Sequence, residues 1–87
     1  MTPITVMEHH LDSNHHVNNA QYVDMAMRAL DLPFERGRID VQYRQAAVLG
    51  DTIVPRVCEV EGGHVIGLEN PDGIVFAAVR VLPNWSR

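Results

Sequence analysis

Only one stretch of this 87-residue chain repeats with the period of a helix, and everything after it repeats with the period of a strand. Ala20, Val23, Met27 and Leu30 recur at spacings of three, four and three, the stripe of a helix that buries one face. Ala26 and Ala29 add strong helix formers. Asn14, Asn18 or Asn19 can supply the N-cap, and Leu32 before Pro33 closes the segment, because a residue preceding proline is pushed out of the helical region. The pattern predicts one helix of roughly four turns from Val17. A lone amphipathic helix must bury its stripe against something, and a sheet is all the rest of the chain can offer.

After Gly37, Ile39, Val41 and Tyr43 fall on one face of a strand and Asp40, Gln42 and Arg44 on the other. Gly50-Asp51 breaks that strand, and Thr52 to Val60 forms the next. Glu61-Gly62-Gly63 supplies a hairpin turn into His64 to Glu69. Asn70-Pro71-Asp72-Gly73 has proline and glycine where a β-turn wants them. Ile74 to Leu82 is the last and most apolar strand, followed by a tail in which Trp85 reads as a packing anchor. Ile4 to Glu8 reads as a short first strand. The expected fold is α+β: one domain over residues 1–87, a long helix packed on an antiparallel sheet.

Size and charge exclude several classes. A chain this short buries only about two thirds of its unfolded surface, and its single cysteine, Cys58, forbids an internal disulfide. A homodimer paired edge to edge is therefore expected, with Ile74 to Leu82 or Thr52 to Val60 near the contact. Cys58 itself reads as a small buried residue. The net charge of −4 and the scattered arginines at 28, 36, 38, 44, 56, 80 and 87 argue against a nucleic-acid partner. Lysine is absent, which removes Schiff-base chemistry and any P-loop. No apolar run approaches the ~20 residues of a membrane span. Met1 to Val6 lacks the features of a secretory signal, so a cytoplasmic setting is expected.

Chemistry is concentrated in His9-His10-Leu11-Asp12-Ser13-Asn14-His15-His16-Val17-Asn18-Asn19, at the entry to the helix. If residues 12–16 run extended, Asp12, Asn14 and His16 point to one side. An acid, an amide and an imidazole then converge. His16 can move a proton, Asp12 can orient and stabilise it, and Asn14 can donate to a carbonyl oxygen. The helix N-terminus adds unpaired N–H groups for a developing oxyanion. Against this, Asp and Asn before a helix commonly serve as caps. The four histidines lack the i, i+4 pairing or Cys/His spacing of a metal site, and neither a metal nor a cofactor is expected.

The run Leu11-Asp12-Ser13-Asn14-His15-His16-Val17-Asn18-Asn19-Ala20-Gln21-Tyr22-Val23 closely resembles the Asp-x-Asn-x-His-Val-Asn-Asn-x-x-Tyr signature of the acyl-acyl-carrier-protein (acyl-ACP) thioesterases. Ile39 to Arg44 and Gly50-Asp51-Thr52 resemble that family's following strand and its Gly-Asp turn. The resemblance implies a hotdog fold and hydrolysis of an acyl-ACP or acyl-CoA thioester to a free fatty acid, in fatty acid biosynthesis. It implies catalytic roles for Asp12, Asn14 and His16, and substrate contacts from Val17, Asn18, Asn19 and Tyr22. Family members usually carry two hotdog units, and this chain is similar to the second, catalytic one. The family also tends to place a glutamate a few residues after the strand tyrosine, where this chain has Ala46. That departure favours a rival expectation, a non-catalytic domain that binds acyl thioesters or their carrier protein.

Overall fold

The structure, a computed structural model, describes residues 3–13, 15–32, 34 and 36–83. Its elements are β1 (Ile4–Thr5), a single 3₁₀ turn (Glu8–His10), α1 (Asn19–Leu30), β2 (Gly37–Tyr43), β3 (Thr52–Val60), β4 (Gly63–Glu69) and β5 (Val75–Pro83). The strands form one antiparallel sheet in the order β1-β3-β4-β5-β2. The β3-β4-β5 meander is built from the two turns expected. Gly62 takes φ 82° in the first. In the second, the Asn70 side chain accepts the Asp72 and Ile74 N–H groups at 2.9 Å each, which closes the turn from within.

α1 lies across one face of this sheet, over Ile53, Ile66, Leu68, Ala77 and Val79, all fully buried. Strand alternation puts Ile39, Val41, Val79 and Val81 on this face and Asp40, Gln42, Ala78 and Arg80 on the other. One irregularity adds to the core. Leu68 pairs with Ala77 and Glu69 with Val75, so Phe76 is an extra residue in β5. Such a bulge lets Phe76 join Ala77 in the core cluster despite their adjacency. On the outer face Asp40 accepts from Arg38 and Arg80, both at 2.9 Å, and these bonds, Arg38's first, hold its carboxyl below the usual aspartate range.

Several expectations need correction. The first strand stops at Thr5 because Met7 turns the chain: its N–H donates to the His10 ring, and the 3₁₀ turn follows. α1 starts at Asn19 rather than Val17, since Asn18 is extended, with ψ 140°, and caps the helix through its side chain. It ends where Asp31 adopts a left-handed φ of 51°. Pro33 lies outside the described residues. The buried face is Tyr22, Met25, Ala26 and Leu30; Ala20 is exposed, and Val23 and Met27 are half-buried. The helix is thus rotated from the expected stripe toward Tyr22. Cys58 is exposed, because alternation places it on the outer face of β3. β5 is paired on both sides, by β4 and β2, and cannot be a sheet edge. β3 can, since the two-residue β1 covers only Thr52 and Ile53. Trp85 lies outside the described residues.

Candidate active site

The polar segment before α1 forms a tight hairpin rather than an extended strand. The Asp12 N–H donates to the His16 carbonyl at 2.9 Å, the His15 N–H to the Asp12 carbonyl at 3.0 Å, and Leu11 bridges to Val17. His15 reverses the chain with φ 62°. In an extended run Asp12 and His16 would stand about 13 Å apart; here they face each other across a turn. The His16 N–H also approaches the Asp12 Oδ1 at 3.3 Å. Asp12 and His16 line one cleft, and the bond between them runs from the His16 backbone N–H rather than from its imidazole. Asn14 lies outside the described residues.

Asp12, His16, Val17, Asn19 and Tyr22 form one side of an open cleft of about 410 Å³, and residues 43–46 form the other. Three contacts fix the two sides relative to each other. The Ala47 carbonyl accepts from the Val17 N–H in the bridge between His16 and Val48, and the buried Ala47 N–H donates to the Tyr22 hydroxyl at 3.0 Å. The third is a tilted ring contact between Tyr22 and Tyr43, with centroids 5.9 Å apart. The Phe76 carbonyl accepts both the Arg44 and Gln45 N–H groups, at 2.9 and 3.1 Å, which ends β2 and turns residues 45–46 into the cleft wall.

Of the residues expected to contact substrate, Val17, Asn19 and Tyr22 line the cleft and Asn18 does not. Asn18 is the N-cap: its Oδ1 accepts the Ala20 N–H at 2.8 Å. Tyr22 is 3% exposed, and burial pushes its hydroxyl above the usual tyrosine range, partly opposed by the Ala47 N–H. It is a neutral strut with a ring face on the cleft. Tyr43, Arg44 and Gln45 are cleft residues that sequence reasoning did not single out. Their signal was present, in the same stretch that drew notice for Ala46. Ala46 does line the cleft, and it is exposed. Among the described residues no group of three or more His, Cys, Asp or Glu side chains converges as a metal site. Among them, too, no helix is long and apolar enough to cross a membrane.

A helix laid on a five-stranded antiparallel sheet, with a polar cleft at the helix N-terminus, defines a hotdog domain of the thioesterase kind. The family model for the acyl-ACP thioesterase C-terminal domain matches residues 1–75, and the chain belongs to that family. Among solved structures it is similar to the probable thioesterase YbaW from Escherichia coli (28% identity, TM-score 0.69, 92% of this chain and 77% of that one). The fold is shared with an acyl-ACP thioesterase from Bacteroides thetaiotaomicron at 20% identity and TM-score 0.81, covering 93% of this chain but only 35% of that one. It is shared also with SAV2348 from Staphylococcus aureus, solved in complex with CoA (19% identity, TM-score 0.77, 93% and 71% coverage). No match was found among curated proteins.

Proposed function

We propose that this chain hydrolyses acyl thioesters carried on acyl carrier protein or CoA, releasing a free fatty acid. The observation that carries this reading is the meeting of Asp12 and His16 on one cleft with Asn19, the first residue of α1. A thioester carbonyl lying there has the positive end of the helix dipole beside it, where negative charge develops as water adds. Asp12 or His16 takes the proton from the attacking water, and the departing thiolate is protonated as the tetrahedral intermediate collapses. Asn14 supplies a donor to the carbonyl in the family pattern. Val17, Asn19 and the faces of Tyr22 and Tyr43 offer apolar and amide contacts to the acyl-pantetheine arm. The chain works as one hotdog unit in a homodimer joined through the open edge of β3, in a cytoplasmic setting and without a cofactor.

A second reading is favoured by Ala46. No carboxylate stands on that part of the cleft wall to help activate water, and a domain that only binds acyl thioesters or their carrier protein would need none. Hydrolysis of a chain-length panel of acyl-ACP and acyl-CoA, measured for wild type and His16→Ala, separates the two. Turnover abolished by His16→Ala supports the hydrolase. Saturable binding without turnover, unchanged by that substitution, supports the binder.

A further inference from the structure

We infer that the neutral imidazole of His10 is the positioning residue of this site, the footing on which the Asp12–His16 hairpin and the start of α1 are built. The inference rests on the hydrolase reading for its kinetic consequence and on geometry for the rest. Among the described residues His10, at 9% exposure, is the only buried polar or charged side chain apart from the Tyr22 phenol. It lies outside the cleft and bounds a separate cavity of about 360 Å³ with Ile4, Gln21 and Met25. Its contacts are reciprocal with Met7. The His10 N–H donates to the Met7 carbonyl at 3.0 Å, and the Met7 N–H donates to the His10 Nδ1 at 2.9 Å. An Nδ1 that accepts carries no hydrogen, so the ring is neutral with its proton on Nε2.

From this ring the backbone runs straight to the chemistry. The His10 carbonyl accepts the Asn18 N–H at 2.8 Å, Leu11 bridges to Val17, and the Asp12 N–H reaches the His16 carbonyl at 2.9 Å. The two hydrogen bonds constitute the Leu11–Val17 bridge, and together they hold the hairpin. Asn18 then caps α1 and sets Asn19 on the cleft. A protonated ring would turn an N–H toward the Met7 N–H, and the footing would be lost. The ionisable groups facing the imidazole are His9, with ring centroids 4.0 Å away, and from α1 Asp24 and Arg28, which pair with each other at 2.9 Å; β1 offers only Ile4. Burial first and the His9 charge second lower the His10 pKa, against a smaller opposing pull from Asp24. A histidine lowered on folding contributes stability that is complete above its unfolded value of about 6.5. That contribution is lost as pH falls through the folded value, so the site loosens on the acid side.

The decisive measurement is a ¹⁵N NMR titration of the wild-type protein from about pH 7.5 to about 5, spanning the range in which imidazoles titrate. The expected result is the Nε2–H tautomer at the upper end. The Met7, Leu11 and Asn18 amides should then lose exchange protection in step with His10 titration, while Ile66 and Val79 keep theirs. An Nδ1–H tautomer, or amides indifferent to that titration, overturns the inference whether or not the protein hydrolyses anything. In the kinetic arm, His10→Leu keeps volume and removes the acceptor. Its kcat should drop about tenfold, with KM within about twofold. His10→Asn restores an acceptor near the Nδ1 position without a titrating ring, and should recover most of the lost rate. An Asn variant as impaired as the Leu variant also overturns the inference. Absence of hydrolysis in the wild type would count against the hydrolase reading alone.

Discussion

The sheet and the segment from Met7 to Asn19 are held together in opposite ways. Between β3, β4, β5 and β2 each residue is tied into a ladder whose contacts repeat, so a defect at one rung leaves its neighbours in place. The segment before α1 has no such redundancy. One imidazole, one cap, one isolated bridge and a few turn bonds support it, and none of them repeats along the chain. Repetition gives the sheet tolerance, and its absence gives the site its sensitivity. The same residues that cannot form a regular ladder are free to turn side chains of different chemistry toward one point.

The contrast can be broken by substitution. His16→Ala should have the largest effect, a loss of at least ~100-fold in thioester hydrolysis. Because His16 is exposed, the unfolding free energy from urea titration should stay within about 0.5 kcal/mol of wild type. A comparable loss of stability would mean that the ring holds the hairpin, and the comparison would need redrawing. Ala46→Glu works in the other direction. It sets a carboxylate on the cleft wall, where general-base assistance is worth ~100-fold, and its exposure makes the change nearly neutral for stability. Single-turnover rates and urea midpoints on the same sample read both. No gain at an unchanged midpoint would show that residue 46 is out of reach of the thioester.

Tyr22→Phe tests the joint between the two regions. It strands the buried Ala47 N–H and should cost about 1–3 kcal/mol by chemical denaturation. Asn18→Ala removes the helix cap at about 1 kcal/mol. Its effect should appear first as faster amide exchange in the first turn of α1, and uniform loss across the sheet would contradict the picture of local support. The smallest effect is expected from Asp40→Ala. It deletes two ion pairs on the outer face but touches no ladder bond, so the urea midpoint at neutral pH should hardly move.

Legibility in the sequence followed the same division. β3 has the bounds its composition suggested, Thr52–Val60, and the Asn70–Gly73 turn carries its own hydrogen-bonding side chain. Periodic elements announce themselves because each residue repeats the message of the one two positions before it. The helix face was misjudged. Ala20, Val23 and Met27 satisfy a helical period, but the anchoring contact is the Tyr22 hydroxyl on Ala47, a residue pair far apart in sequence. Cys58 was misjudged for a related reason, since no local signal says which face of β3 the helix will cover. Asp12 and His16, grouped by an assumed extended run, line one cleft, but not through that run. Their actual meeting depends on a left-handed His15, which sequence patterns do not disclose for a residue other than glycine.

That left-handed residue also bears on how the protein can be improved. An L-residue with a β-carbon held there stores about 1–2 kcal/mol of backbone strain. Part of it is recoverable: His15→Asn relieves some strain through a side chain better suited to the conformation, and His15→Gly removes the steric cost while adding disorder to the unfolded chain. The readiest gain in thermal endurance therefore sits beside His16, between the two residues expected to handle the proton. Selection for endurance alone and selection for turnover alone would both act first on this one turn, and a library randomised at position 15 would show how far the two can be pursued together.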